Sequence, residues 1–94
     1  MNIKVEVFSS PGCSKCGKAK YVLQDIAREI GGNRIDWREV NVLDEIDYAV
    51  RLGVLSTPSI AINDVLIFSG LPSEKRLRYE LLKRLNEESQ EQGA

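Results

Sequence analysis

Two thiols, Cys13 and Cys16, separated by Ser14 and Lys15, hold most of the chemistry available to this 94-residue chain. The chain contains no histidine. Ser-His and Cys-His nucleophile–base pairs and His metal triads are therefore excluded. Carboxylates titrate near ~4 and Lys and Tyr near ~10, so thiols and the amino terminus are the groups closest to neutrality. A neighbouring thiol pair can reduce a disulfide in two exchange steps, one sulfur attacking and the other resolving. The same spacing is half of a zinc or iron–sulfur site, which usually takes four ligands. With no further Cys and no His, such a site would need two chains, a small-molecule thiol or unusual carboxylate ligation; a dimeric metal- or cluster-binding module is the alternative. A purely structural bridge between Cys13 and Cys16 would close a minimal loop and constrain the unfolded chain little.

The surrounding pattern predicts what positions these thiols. Ile3 to Phe8 alternates and then turns apolar, as a strand entering a covered sheet does, and Ser9-Ser10-Pro11-Gly12 breaks it. Apolar positions 16, 19, 22, 23, 26, 27 and 30 lie on one helical face, closed by Gly31-Gly32-Asn33. Ile35 to Val40 is expected as an edge strand. A short helix capped by Asp44 should turn Ile46, Ala49 and Val50 inward and stop at Gly53. Ser59–Ile62 and Val65–Phe68 flank Asn63-Asp64, a hairpin signal. Ser73 should cap a last helix with Leu77, Leu81, Leu82 and Leu85 as its buried stripe, and with Glu74–Arg78 and Glu80–Arg84 as i,i+4 pairs. The order is βαβαββα, an α/β fold with a four-stranded mixed sheet flanked by helices.

Cys13 is thus expected at or just before a helix N-terminus. There free N–H groups and the macrodipole favour a thiolate, with Lys15 and Lys18 as nearby cations. Cys16, on the apolar stripe, should be the less accessible sulfur.

Composition narrows the remaining classes. Thirteen Lys and Arg against fourteen Asp and Glu give a net charge of −1, which offers no pull toward nucleic acid or a membrane surface. No apolar run exceeds the four residues Val65–Phe68, whereas a spanning helix needs ~20 and a signal core at least ~7. A single soluble domain over residues 1–86 is expected, with residues 87–94, which lack an apolar anchor, as a frayed tail.

Cys13-Ser14-Lys15-Cys16 after a first strand, Gly53-Val54-Leu55-Ser56-Thr57-Pro58 before a hairpin, and Gly70 before the last helix together resemble the thioredoxin-like fold. Small thioredoxins and glutaredoxins are the nearest group. The resemblance implies that Cys13 is the nucleophile and Cys16 the resolving thiol, and that no cofactor is needed. It implies that Pro58 is a cis-proline beside the dithiol, forming with Thr57 part of the surface that holds substrate. The implied partners are protein disulfides and a reductase such as thioredoxin reductase. A cycling dithiol without a signal sequence fits a reducing cytoplasm, the expected location, and a monomer is expected. The chain departs from the thioredoxin pattern in having Gly12 before Cys13, Ser14-Lys15 between the cysteines, and Val7 where a buried Asp is common. It departs from glutaredoxins in Ser69-Gly70-Leu71-Pro72-Ser73, which lacks their Asp. The expected activity is thiol–disulfide exchange on protein disulfides, with a glutathione-linked glutaredoxin-like reductase as the alternative.

Overall fold

The first strand, β1 (Ile3–Ser9), is buried at every position except Lys4, because it has a neighbour on each side. A computed structural model describes the backbone of residues 3–31 and 34–93 and the side chains of 3–30 and 34–86. After β1 come α1 (Cys16–Ile26), β2 (Ile35–Asn41), α2 (Ile46–Leu52), β3 (Ser59–Ile62), β4 (Val65–Ser69) and α3 (Glu74–Gly93). The sheet order is β2-β1-β3-β4. β1 runs parallel to β2, from Ile3↔Ile35 to Ser9↔Asn41, and antiparallel to β3. β2 is an edge strand, as its weak patterning indicated. β3 and β4 form the hairpin, and Asn63 and Asp64 at its turn take φ of 49° and 68°.

Alternation along β1 sends its side chains to two cores. Ile3, Val5 and Val7 pack with Leu23 and Ile26 of α1 and with Leu77, Leu81 and Leu85 of α3. Phe8 faces the other way, onto Val40, Ala61 and Ala49 of α2. The first helix passes into a π turn over Ala27–Gly31, with Ala27 buried and Ile30 against the core. Gly31 ends that turn; Gly32 and Asn33 lie outside the described residues.

Three expectations are corrected. α2 starts at Ile46 after Glu45, with no side-chain cap, so Asp44 is not its N-cap. Of the three residues expected to face inward only Ala49 is buried; Ile46 and Val50 are exposed. Tyr48 and Leu52 pack beside Ala49 instead, because the Tyr48 hydroxyl is tied to the buried Glu6 and sets the rotation of the helix. In α3, Leu82 is exposed while Leu77, Leu81 and Leu85 are buried. Residues four apart drift only ~40° around a helix, whereas Leu82 stands ~100° from Leu81.

Local helix signals elsewhere held in part. Ser73 Oγ accepts a hydrogen bond from Arg76 N at 3.2 Å, and Glu80 pairs with Arg84 at 3.7 Å. Arg78 instead reaches Glu29 at 2.8 Å, tying α3 to the end of the first helix. The backbone of α3 continues to Gly93, through most of the segment expected to fray; the side chains of that segment lie outside the described residues.

Candidate active site

The break after β1 delivers the two thiols. Gly12 takes a φ of 78°, a conformation that side chains resist. Cys13 N donates to Ser10 O at 3.3 Å to close the turn. Cys13 and Cys16 are joined as a disulfide, their Cα atoms 5.5 Å apart. Cys16 is the first residue of α1 and is only 5% exposed, while Cys13 is partly exposed. The helix therefore begins three residues beyond Cys13, and Lys15 rather than Cys13 holds its N-cap position. Lys15 and Lys18 are both exposed, and Lys15 lines a shallow cleft with Cys13.

Folding brings a distant segment to that cleft. Thr57 lines it with Cys13, and the hydroxyls of Ser10 and Thr57 are 2.7 Å apart. Pro58 follows, buried, after a cis peptide bond. Two hydrogen bonds fix the loop: Ser59 Oγ donates to Ser56 O at 2.6 Å, and Gly70 N donates to Pro58 O at 2.8 Å. Cys13, Lys15 and Thr57 thus meet at one surface, while Cys16 and Pro58, bonded or adjacent in sequence to its residues, are buried.

Sequence reading missed an apolar groove that continues from this cleft. Val42, Leu43, Ile46, Val50, Val54 and Leu55 line it, with Ser10 and Thr57 on the border of the two. Leu55 is 97% exposed and Val50 70%, unusual values for aliphatic side chains clustered together. The available signal was a seven-residue helix with two aliphatic residues, Ile46 and Val50, four apart outside its buried side.

It also missed a polar network beneath α2. Glu6 is fully buried, an arrangement acids adopt only with partners. Tyr48 donates its hydroxyl to one carboxylate oxygen of Glu6, and Arg38 bonds the other, with Nη2 at 2.8 Å. Arg38 continues to Glu45 at 3.2 Å, and Tyr48 Oη lies 3.1 Å from Asp64, which pairs with Lys4 at 2.5 Å. Burial, then the bonds to Glu6 and Asp64, raise the Tyr48 hydroxyl above its ordinary pKa of 10.0. The bond to Asp64 raises Lys4, and the bonds from Lys4 and Tyr48 lower Asp64.

These directions set the pH response. Groups raised by folding contribute stability that is full below their unfolded pKa and lost as pH rises beyond it. Tyr48 and Lys4 therefore lose stabilisation above about pH 10. Asp64, lowered, contributes above its unfolded pKa of about 4 and loses that contribution as pH falls through its folded value. Lys4 and Asp64 are exposed, so salt screens their part. Thermal melting followed against pH should show a decline above about pH 10 that is shallower in Tyr48→Phe.

Among the described residues no group of three or more His, Cys, Asp or Glu is arranged to hold a metal ion, and no helix is long and apolar enough to cross a membrane.

Comparison with known proteins converges on the same chemistry. A family model described as a thioredoxin domain matches residues 1–83. A probable thioredoxin of Methanothermobacter thermautotrophicus is 35% identical over 88 residues, covering 94% of this chain and 98% of that one. The thioredoxin of Methanocaldococcus jannaschii is 32% identical over 83 residues, covering 88% of this chain and 96% of its own. Among solved structures, malaria parasite thioredoxin-2 superposes with a TM-score of 0.74 at 20% identity, over 87% of this chain and 82% of that one. A mutant thioredoxin from Halobacterium salinarum superposes with a TM-score of 0.72 at 17% identity, over 85% of this chain and 72% of that one. A mixed sheet with this order, a Cys-x-x-Cys disulfide between its first strand and first helix and relatives matched nearly end to end lead to one conclusion: the chain belongs to the thioredoxin domain family and is a thiol–disulfide oxidoreductase.

Proposed function

We propose that the protein reduces protein disulfides, with Cys13 as the attacking thiolate and Cys16 as the resolving thiol. The observation that carries this reading is the asymmetric disulfide, with Cys13 partly exposed and Cys16 buried, in a cleft that shares Ser10 and Thr57 with an exposed apolar groove. In the first step the Cys13 thiolate bonds to one substrate sulfur as the substrate S–S bond breaks. The departing sulfur leaves as a thiolate and takes a proton from solvent. Cys16, having lost its proton, then attacks Cys13; the Cys13–Cys16 bond forms and the second substrate sulfur leaves and is protonated. The substrate gains two electrons and two protons, and the dithiol loses them. No other cofactor enters, and a reductase recharges the pair.

Lys15 supports the first step as a cation in the same cleft, favouring the thiolate of Cys13. Thr57 and Pro58 supply the surface on which substrate backbone lies. The groove takes an apolar side chain of the substrate, a feature suited to a protein chain and wasted on a small polar disulfide. The thioredoxin-like domain is assigned to residues 1–86, with the backbone of α3 running on to Gly93; it acts as a monomer in the cytoplasm, where reducing conditions keep a cycling dithiol supplied.

The test is a redox equilibrium titration of the Cys13–Cys16 pair read by thiol counting. A two-electron transition near ~−270 mV supports a reductant, whereas one near ~−120 mV makes the protein an oxidant. Recharging by glutathione but not by a thioredoxin reductase would transfer it to the glutaredoxin-like class. Substitution of the groove with charge, Ile46→Asp or Val50→Asp, should raise KM for a disulfide-bonded protein about tenfold, the equivalent of about 1.4 kcal/mol. Steady-state kinetics on that protein and on a small aromatic disulfide should show the smaller effect on the latter.

A further inference from the structure

Ser10 and Thr57 are 47 positions apart in sequence, yet their hydroxyl oxygens are 2.7 Å apart. They are also the two residues that line both the Cys13 cleft and the apolar groove. Each hydroxyl carries one proton, and the bond between them uses one whichever oxygen donates. One O–H is therefore left over. Among the described residues neither hydroxyl has a second hydrogen-bond partner. Both residues are half-buried on open clefts, so the spare O–H gives its hydrogen bond to water until a stronger acceptor enters the cleft.

The cleft contains a group that changes in this respect during turnover. In the disulfide the Cys13 sulfur is a weak acceptor; on reduction it becomes a thiolate, a strong one. The Cys13 amide is already committed to Ser10 O. The remaining charged side chain lining the cleft is Lys15, on the helix side. A hydroxyl that itself accepts a hydrogen bond is a better donor, so the bridge strengthens the spare O–H.

We propose that the Ser10–Thr57 hydroxyl pair is a hydrogen-bond donor to the Cys13 thiolate, one O–H closing the bridge and the other turning to the sulfur when the disulfide opens. The assignment rests on Cys13 being the attacking sulfur. It makes Ser10 part of the site through its side chain, in addition to its backbone role in the turn.

The experiment follows alkylation of the reduced protein by iodoacetamide against pH, with the labelled cysteine identified by mass mapping. In Ser10→Ala/Thr57→Val, which lacks both hydroxyls, the Cys13 pKa should rise by about one unit, a fall on the order of tenfold in thiolate at pH values below it. Ser10→Ala and Thr57→Val alone, each retaining one hydroxyl, should give smaller rises, and Ser10→Thr should titrate like wild type. A merely structural contact would lower the melting temperature and leave the titration in place. A folded double variant with unchanged Cys13 titration overturns the assignment; should that variant not fold, unchanged titration in both single variants does so. First labelling of Cys16 in the wild type would instead overturn the reading of Cys13 as nucleophile, and this assignment with it.

Discussion

Cys13→Ser should lose disulfide reduction by a factor of about 10³ or more, whereas Cys16→Ser should halt after the first step with the substrate still attached. The two outcomes differ because the sulfurs stand in different surroundings. A serine hydroxyl stays protonated near neutrality and attacks a disulfide negligibly, so without the accessible Cys13 sulfur no bond to substrate forms. Cys16 is 5% exposed, out of reach of a protein substrate but adjacent to Cys13. Its removal spares the first attack and deletes the resolving one, so a mixed disulfide accumulates. Non-reducing electrophoresis with intact-mass measurement distinguishes the cases. Full activity in Cys13→Ser, or a mixed disulfide trapped in that variant rather than in Cys16→Ser, would refute the assigned roles.

The second large effect is expected on stability, at the buried Glu6. Its side chain is 1% exposed and receives its hydrogen bonds from Arg38 and Tyr48. Tyr48→Phe removes a neutral donor and should cost about 1–3 kcal/mol. Removing one member of a buried ion pair costs about 3–5 kcal/mol, but Arg38 is half exposed, and water reaching the vacated space brings Arg38→Met to the lower end. The double variant Arg38→Met/Tyr48→Phe leaves the carboxylate buried without either donor and should be the least stable of the three. Glu6→Met, which removes the charge along with the need for partners, should cost less than that double variant. Chemical denaturation at pH 7 ranks them. A double variant within about 0.5 kcal/mol of wild type would show that the network holds nothing in place. The network has a functional consequence as well, since Tyr48 fixes the rotation of α2 and so turns Ile46 and Val50 into the groove. Tyr48→Phe should therefore raise KM for protein substrates more than for a small disulfide.

The contrast between the two helices beside the site shows how far the sequence could be read. The first carries its apolar residues at helical spacing over nearly four turns, enough repetition to define a face, and Cys16, Ala19, Leu23 and Ile26 are buried as that spacing requires. α2 has seven residues, fewer than two full turns, so its apolar residues fit more than one face. The choice fell to a contact 42 residues away in sequence, between Tyr48 and Glu6. Leu82 and Arg78 teach the same lesson within α3. Local spacing made Leu82 a core residue and paired Arg78 with Glu74; packing against the first helix exposed the one and gave the other Glu29.

The redox pair, the order of elements and the hairpin were legible because each is written in neighbouring residues: a two-residue gap between thiols, a period, a turn whose residues tolerate positive φ. Folding alone decided that Ser10 would meet Thr57, that α2 would turn its aliphatic residues into the groove that Ser10 and Thr57 border, and that a strand acid would be buried with a tyrosine and an arginine. Those arrangements depend on contacts between segments far apart in the chain, and side-chain spacing carries no record of which distant surface a residue will face.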